Sequence, residues 1–500
     1  MSAEPAAPAG VEQPTLQANA ITFVDALAIG LNATSPAYSI AAILGPLALL
    51  VGVHMPGVLI VSFVPMLLIA SAFYYLNRVD QDCGTTFSWV TRAMGPWWGW
   101  IGGWAITMTG VLVIGSLADV AVRFTLLMVG LDELAENNAV VIVLAVALIL
   151  LMTWLCVVGT EASSRVQNVL VLLQVAALLV FAGVALFRSL NGTALPDAPT
   201  PELSWLNPFA QGGGALTAGL LLGVFAYWGW ESAVNLTEET SDSASAPGKA
   251  GIWSTVILVI TYVGTAIAVV AFVGPTFLAD SADEAEFIVP SLATEVLGGW
   301  DWIVLLAVAT SAVASTQTTI IPASRTALSM ARRQAIPGYF GHISRRHRTP
   351  DVSTWWVAVI AIVWYVGLAL LSENALFDSL SALSLLIAFY YALTGIACAV
   401  YYRRHLLDSA RNLLLIGLGP VVGALLLGWL LVASVRDLAD PANSFTGEAW
   451  FGLGPPLVIG IAMFGAGVVF MVGSRVHGSV FWSERPGVVD DSLLSEEARP

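Results

Sequence analysis

Charge is what this chain has least of. Asp, Glu, Lys and Arg make up 11% of its 500 residues, against roughly 25% in an average soluble domain. Lysine is nearly absent: Lys249 stands alone beside 18 arginines. Cysteine is scarce too, and two of the three (Cys83, Cys156, Cys398) lie inside apolar runs. That placement argues against a disulfide framework and for small buried hydrophobes. The five histidines form no metal-ligand spacing, and no HExxH, CxxC or P-loop occurs. The first 20 residues contain no base, which excludes a secretory signal peptide. These absences point to no enzyme chemistry, no cofactor and no nucleic-acid partner.

What is present is apolar: 57% of residues, with a mean hydropathy of +0.82. The main solvent of such a chain is the lipid bilayer. A hydrocarbon core about 30 Å thick takes about 20 apolar residues per helical span, which leaves room for about ten to fourteen spans. Apolar runs mark twelve, at 20–50, 56–76, 95–129, 139–158, 168–187, 214–238, 251–274, 301–331, 353–371, 378–402, 412–435 and 452–474. Backbone in hydrocarbon must satisfy its own hydrogen bonds, so the runs are helices and the fold class is an all-α integral membrane protein.

The arginines set the expected orientation. With the N-terminus inside, 16 of the 19 bases face the cytoplasm, and only Arg123, Arg188 and Arg436 lie outside. Both termini are then cytoplasmic, with polar tails at 1–19 (disordered) and 475–500. The 275–301 loop is acidic, with Asp280, Asp283, Glu284, Glu286, Glu295 and Asp301 and no base. It reads as a solvated outer loop, with concentration of cations near an outer vestibule as the alternative.

Two spans are interrupted. The first contains Gly30-Leu31-Asn32-Ala33-Thr34-Ser35-Pro36, and Pro36 both removes a donor and disfavours helix at Ser35. The sixth contains Phe225-Ala226-Tyr227-Trp228-Gly229-Trp230-Glu231, with a glycine and a carboxylate at mid-span. Breaks in register about 195 residues apart point to an inverted-repeat transporter. The predicted repeats are 20–187 and 214–402, five spans each, with spans eleven and twelve (412–474) added. A broken helix exposes N–H groups at one half and carbonyls at the other. Amides and hydroxyls at Thr34 and Ser35 suit a carboxylate, and carbonyls at 225–228 suit an ammonium, so together they suit a zwitterion. Tyr227, Trp228 and Trp230 are bulky enough to close such a site. Glu231 is an ionisable residue within a span and defaults to a functional role. Three roles compete for it: carrier of a coupled proton, ligand of a cationic substrate group, or structural acceptor.

On these residues the chain resembles the amino acid–polyamine–organocation permeases, which share the leucine-transporter fold. Four stretches carry the resemblance: the break from Gly30 to Pro36; Thr86-Phe87-Ser88-Trp89-Val90 through Gly95-Pro96 and Gly102-Gly103-Trp104; Val224 to Ser232 ending in Glu238-Glu239; and Ser324-Arg325 with Met330-Ala331-Arg332, Ile336-Pro337 and Thr349-Pro350. It spans 20–402 by motif and 412–474 by span count. The resemblance implies a plasma-membrane secondary transporter of amino acids, ion-coupled or exchanging, working by alternating access. It implies that Asn32, Ala33, Thr34 and Ser35 meet the carboxylate. The Phe225, Ala226 and Tyr227 carbonyls, beside Trp228 and Glu231, would meet the amine, while Thr109 and Gly110 line the side-chain pocket.

The chain also departs from the family. The usual Gly-Ser-Gly of the first span reads Ala33-Thr34-Ser35, leaving less room for close backbone approach. The fifth span lacks the lysine that replaces sodium in some proton-driven members. Thr310 and Ser311 lie roughly 15 Å into the eighth span, where a hydroxyl pair is similar to the sodium site of sodium-coupled members. The coupling ion, H+ or Na+, stays open on these residues, with Glu231 the proton candidate. A polyamine or amine carrier is the alternative substrate reading, and a transporter-like membrane sensor is the alternative of another class.

Overall fold

A computed structural model describes residues 15–280, 288–371 and 374–490. Ten helices among them are long and apolar enough to cross a membrane. One of these, Phe23–Val79, has 57 residues. At 1.5 Å per residue it would reach about 86 Å, far beyond a bilayer. It is divided at Ser35 and again at Gly52–His54, so it makes two crossings. The broken segment Gly213–Asn235 adds another, and the total is twelve.

In chain order the helices are α1 Phe23–Thr34, α2 Pro36–Val51, α3 Met55–Val79, the short amphipathic α4 Thr86–Met94, α5 Pro96–Met128, α6 Asn138–Val158, α7 Thr160–Leu190, α8 Gly213–Ala226, α9 Ser232–Asn235, α10 Ala246–Asp280, α11 Ile288–Leu297, α12 Trp302–Arg332, α13 Asp351–Ala369, α14 Asn374–Tyr401, α15 Gly419–Asp437 and α16 Pro455–Val476. No strand occurs among the described residues. The acidic loop expected at 275–301 lies partly outside them, and its described residues form the end of α10, then α11 and a 3-10 turn at Gly298–Trp300.

Helices α5, α12 and α14 form the centre. About three-quarters of the most apolar stretch of each is buried, against 22% for α16 at the rim. The rim helices turn large apolar side chains outward, among them Trp154, Val363 and Phe470, as a lipid-facing surface requires. With no hydrophobic drive between helices in lipid, close approach falls to small residues. Gly110 is one: a Cβ there would sit 3.1 Å from Ala323 Cβ of α12.

The arginine-rich end of the bundle is closed by charge pairs. Arg325 of α12 makes a bidentate pair with Glu239, at 2.6 and 3.0 Å, and both are fully buried. Arg332 pairs with Glu238 at 2.9 Å and Arg92 with Asp80 at 2.7 Å. Burial pushes the Asp80 carboxyl up to about 6, against the pull of Arg92. Burial also opposes charge on Asp82, but Arg333 and the Ser329 hydroxyl together hold its carboxyl below the usual range. Asp82, Cys83 and Glu238 lie close enough to share a cation, yet Arg332 and Arg333 already meet that charge.

Both flanking segments dock on this end. Leu16 is buried against Cys83, Leu328 and Ile343. Ile21 exchanges backbone hydrogen bonds with Glu239 and Ser241. On the other side, Phe481 is buried and stacks on Phe87. Gly487 N–H donates to the Arg92 carbonyl at 2.7 Å, and Val489 N–H donates to the Tyr401 carbonyl at 3.1 Å. The segment expected as a polar tail is therefore a strap across α4 and the end of α14. Residues 1–14 and 491–500 of the two expected tails lie outside the described residues.

Candidate functional site

The first break costs one residue. Ser35 takes left-handed φ/ψ of 55° and 65°, ending α1, and Pro36 starts α2. Proline suits that place because the first turn has no intrahelical partner for its N–H. The second break is longer. Helix α8 ends at Ala226, and Tyr227–Glu231 runs without regular helix to α9, with Gly229 at φ 118°.

The two breaks touch. A Cβ on Gly229 would sit 2.7 Å from the carbonyl of Ala33, and one on Gly30 would sit 3.0 Å from the Trp230 carbonyl. Only glycine allows this approach, and at Gly229 only glycine adopts the φ without strain.

Where the breaks meet, a small cavity of about 10 Å³ is lined by Ala33, Thr34, Ser35, Tyr38, Ser39, Val113, Leu117, Phe225, Trp228 and Ser315. That is about the room of a single water, so the site is closed down in this structure and its lining, rather than its size, indicates what it takes. One side offers hydroxyls and the N-terminus of α2, whose dipole is positive. The other offers aromatic and aliphatic carbon. No charged side chain lines it.

Phe225 is shared with a second, larger space of about 630 Å³ that opens toward the end remote from the arginines. This vestibule lies between α2, α8, α14 and the end of α15. The loop after α15 is held over it by Asp378, which accepts from Phe445 N–H at 2.8 Å and Thr446 Oγ1 at 2.7 Å. The edge-on pair of Tyr38 and Phe225, centroids 6.3 Å apart, separates the two spaces.

Of the residues expected at the site, Ala33, Thr34, Ser35, Phe225 and Trp228 line the cavity. The others are placed elsewhere. Asn32 faces α7, donating to the Gln167 carbonyl and accepting from Gln174, both at 2.7 Å. The Thr34 hydroxyl bonds back to the Gly30 carbonyl at 2.9 Å. The Ala226 carbonyl accepts from Tyr262 at 2.9 Å, and the Tyr227 ring packs on Phe63 and Tyr262 behind the lining. Thr109 bonds back to the Ala105 carbonyl at 2.6 Å. The lining of α5 comes instead from Val113 and Leu117, one and two turns beyond Thr109 and Gly110.

Glu231 also lies behind the lining. Its carboxylate accepts from Tyr390 on one oxygen, and on the other from Tyr391 at 2.5 Å and Gly229 N–H at 3.2 Å. The Trp228 indole donates to the Tyr390 hydroxyl at 2.5 Å. A buried carboxylate with three donors is satisfied, and this one is tied to the cavity wall through Trp228. Along α12, Ser311 meets Ser35 at 2.9 Å, and Ser315 donates to the Ala33 carbonyl at 3.0 Å. Thr310 turns away and bonds the Leu306 carbonyl at 2.6 Å. Tyr38, Ser39, Val113, Leu117 and Ser315 of the lining, and Tyr390 and Tyr391 behind it, are the residues sequence reasoning missed. Ser315 had a signal, as the next turn after Ser311, and Tyr38 and Ser39 had one, as the residues just after the Pro36 break.

A family model described as amino acid permease matches residues 21–464. The chain is similar to the branched-chain amino acid permease BcaP of Lactococcus lactis subsp. cremoris, 23% identical over 340 residues, 66% of this chain and 70% of that one. It is 25% identical to Asc-type amino acid transporter 1 of Homo sapiens over 272 residues, 53% of this chain and 50% of that one. It is 26% identical over 447 residues to an uncharacterized transporter of Mycobacterium tuberculosis, 86% of this chain and 89% of that one. The crystal structure of MhsT in complex with L-phenylalanine matches with a TM-score of 0.57 at 13% identity, covering 81% of this chain and 98% of that one. That last likeness is one of fold.

Proposed function

The chain belongs to the amino acid permease family and has the leucine-transporter fold, and from that premise we propose that it is a secondary transporter of neutral amino acids with apolar side chains. It is a transporter and not an enzyme. The observation that carries the substrate reading is the lining of the cavity where the two breaks meet. The α2 N-terminus and the hydroxyls of Ser35 and Ser39 receive the carboxylate. Carbonyls at the end of α8 receive the amine. Val113, Leu117, Phe225 and Trp228 receive the side chain. A polyamine needs a second carboxylate in the lining, and Glu231 stands behind Trp228, held by two tyrosines.

Alternating access moves the closure from one end to the other. The arginine-rich end, which we take as cytoplasmic with both termini, is closed by ion pairs. The acidic end has its vestibule, with Tyr38 and Phe225 in edge-on contact between it and the cavity. In this reading 20–187 and 214–402 are inverted repeats in the plasma membrane, with α15 and α16 outside them. The coupling proton rides on Glu231, whose tyrosine partners connect it to the cavity wall. Sodium is the second reading, favoured by Ser311, Ser315 and the Ala33 carbonyl gathered at the first break.

The test is uptake into proteoliposomes. A labelled branched-chain or aromatic amino acid is expected to accumulate under an imposed proton gradient, with putrescine failing to compete. Uptake driven only by sodium transfers the coupling to the serine cluster. Ligand binding with neither net uptake nor exchange would sink transport of that substrate.

A further inference from the structure

The loop between α12 and α13 carries a compact turn that the transport reading leaves unused. Ser344 N–H donates to the Thr349 carbonyl at 2.9 Å, and Arg348 N–H donates to the Ser344 carbonyl at 2.8 Å. The turn is fastened to the end of α6. Thr349 Oγ1 donates to the Val157 carbonyl at 2.6 Å and His347 Nδ1 to the Val158 carbonyl at 2.8 Å. Val157 and Val158 are the last two residues of α6, and Asp351 is the first of α13. The turn therefore sits at the level where two spanning helices end, which in a bilayer is the headgroup layer.

Two guanidinium groups there have no partner among the described residues. Arg345 and Arg346 are exposed, and neither makes a hydrogen bond or ion pair among the described residues. The nearest acid in sequence, Asp351, is already paired with His342 at 2.6 Å. Aromatic rings flank the turn: Tyr339 stacks on Phe340, which meets Trp356, and Trp355 and Trp356 are part-exposed on the first turns of α13. Exposed aromatics beside unpaired arginines at a helix end form the pattern of a membrane–water interface. A guanidinium presents paired donors that match phosphate oxygens.

The same turn also reaches the closed end of the bundle. Arg348 donates to the Thr15 carbonyl at 3.1 Å, to Thr15 Oγ1 at 2.9 Å and to the Leu16 carbonyl at 3.2 Å. Leu16 is the side chain buried against Cys83, Leu328 and Ile343. We propose that the Ser344–Thr349 turn docks the phosphate of an anionic phospholipid through Arg345 and Arg346, and that this docking steadies Arg348 on residues 15 and 16 and holds the arginine-rich end closed. The occupant is a lipid because the two arginines stand at headgroup level beside an aromatic belt.

The experiment uses the full chain in nanodiscs of phosphatidylcholine, alone or mixed with phosphatidylglycerol. Wild type is expected to retain phosphatidylglycerol through purification. Arg345→Gln with Arg346→Gln is expected to lose that preference by about thirtyfold, from about 1 kcal/mol per arginine near an anionic surface. The lysine pair at the same positions keeps most of it, as does Arg404→Gln on another loop. A second reading follows maleimide labelling at Leu16→Cys, where the three native cysteines are buried. Phosphatidylglycerol is expected to slow labelling in the otherwise wild-type chain and leave the double glutamine variant unaffected. Equal lipid retention by that variant overturns the site. Labelling that ignores the lipid overturns the link to closure, and protection by inorganic phosphate in phosphatidylcholine discs overturns the lipid as occupant.

Discussion

The two helix breaks solve one problem in different ways. At Ser35 the chain turns through a single left-handed residue, and the N–H of Ser35 still finds the Leu31 and Asn32 carbonyls at 3.1 Å. Almost no backbone bonding is lost. At Tyr227–Glu231 five residues leave the helix, and side chains replace the missing bonds: Glu231 takes the Gly229 N–H and Tyr262 takes the Ala226 carbonyl. The first break is a backbone device and the second is a side-chain device. A backbone device is rigid and local. A side-chain device brings distant parts of the chain to the break, here Tyr390 and Tyr391 of α14, and so ties the break to whatever α14 does.

That contrast can be broken most sharply at Gly229, where the second break touches the first. Gly229→Ala combines an unfavourable φ with a Cβ against the Ala33 carbonyl, and is expected to cost about 3 kcal/mol or more. The readout is the yield of monodisperse protein and its melting temperature; a wild-type melting curve would show that the breaks are not in contact. Glu231→Gln comes next. An amide offers one acceptor oxygen where the carboxylate offers two, so one tyrosine loses a charge-assisted bond. Transport is expected to fall about tenfold or more while the protein still folds. Proteoliposome uptake across a pH series reads it, and an unchanged pH profile would remove Glu231 from the coupling. The smallest effect belongs to the first break. In Ser35→Gly, relief of left-handed strain of about 1 kcal/mol offsets loss of the Ser311 contact, worth about 1 kcal/mol. The melting temperature should barely move, whereas Ser35→Ala should be destabilised by about 1 kcal/mol. Equal melting of the two variants would mean that Ser35 is not left-handed.

Much of the architecture was legible because lipid makes the pattern coarse. Runs of apolar residues can only be helices, and Pro36 and Gly229 mark the breaks by removing a donor or a Cβ. The site was legible only along the chain and not around each helix. In a helix apolar on every side, nothing in the periodicity tells which face turns inward. That is why Asn32 faces α7 rather than the cavity, and why the lining of α5 begins one turn past Thr109. Tyr390 and Tyr391 lay beyond sequence reasoning for another reason: they meet Glu231 across 159 and 160 residues, and an aromatic pair inside an apolar run carries no mark of its partner.

The strap formed by Phe481, Gly487 and Val489 bears on how the molecule is made. These residues are synthesised after all twelve spans, yet they bridge α4 and α14, which leave the ribosome long before. A nascent chain can therefore have every helix inserted and still lack the brace across its arginine-rich end. Assembly of that end is a post-insertion event, and a truncated product with a full set of spans would present Phe87 and the end of α14 uncovered, a visible sign of incompleteness for a quality-control protease.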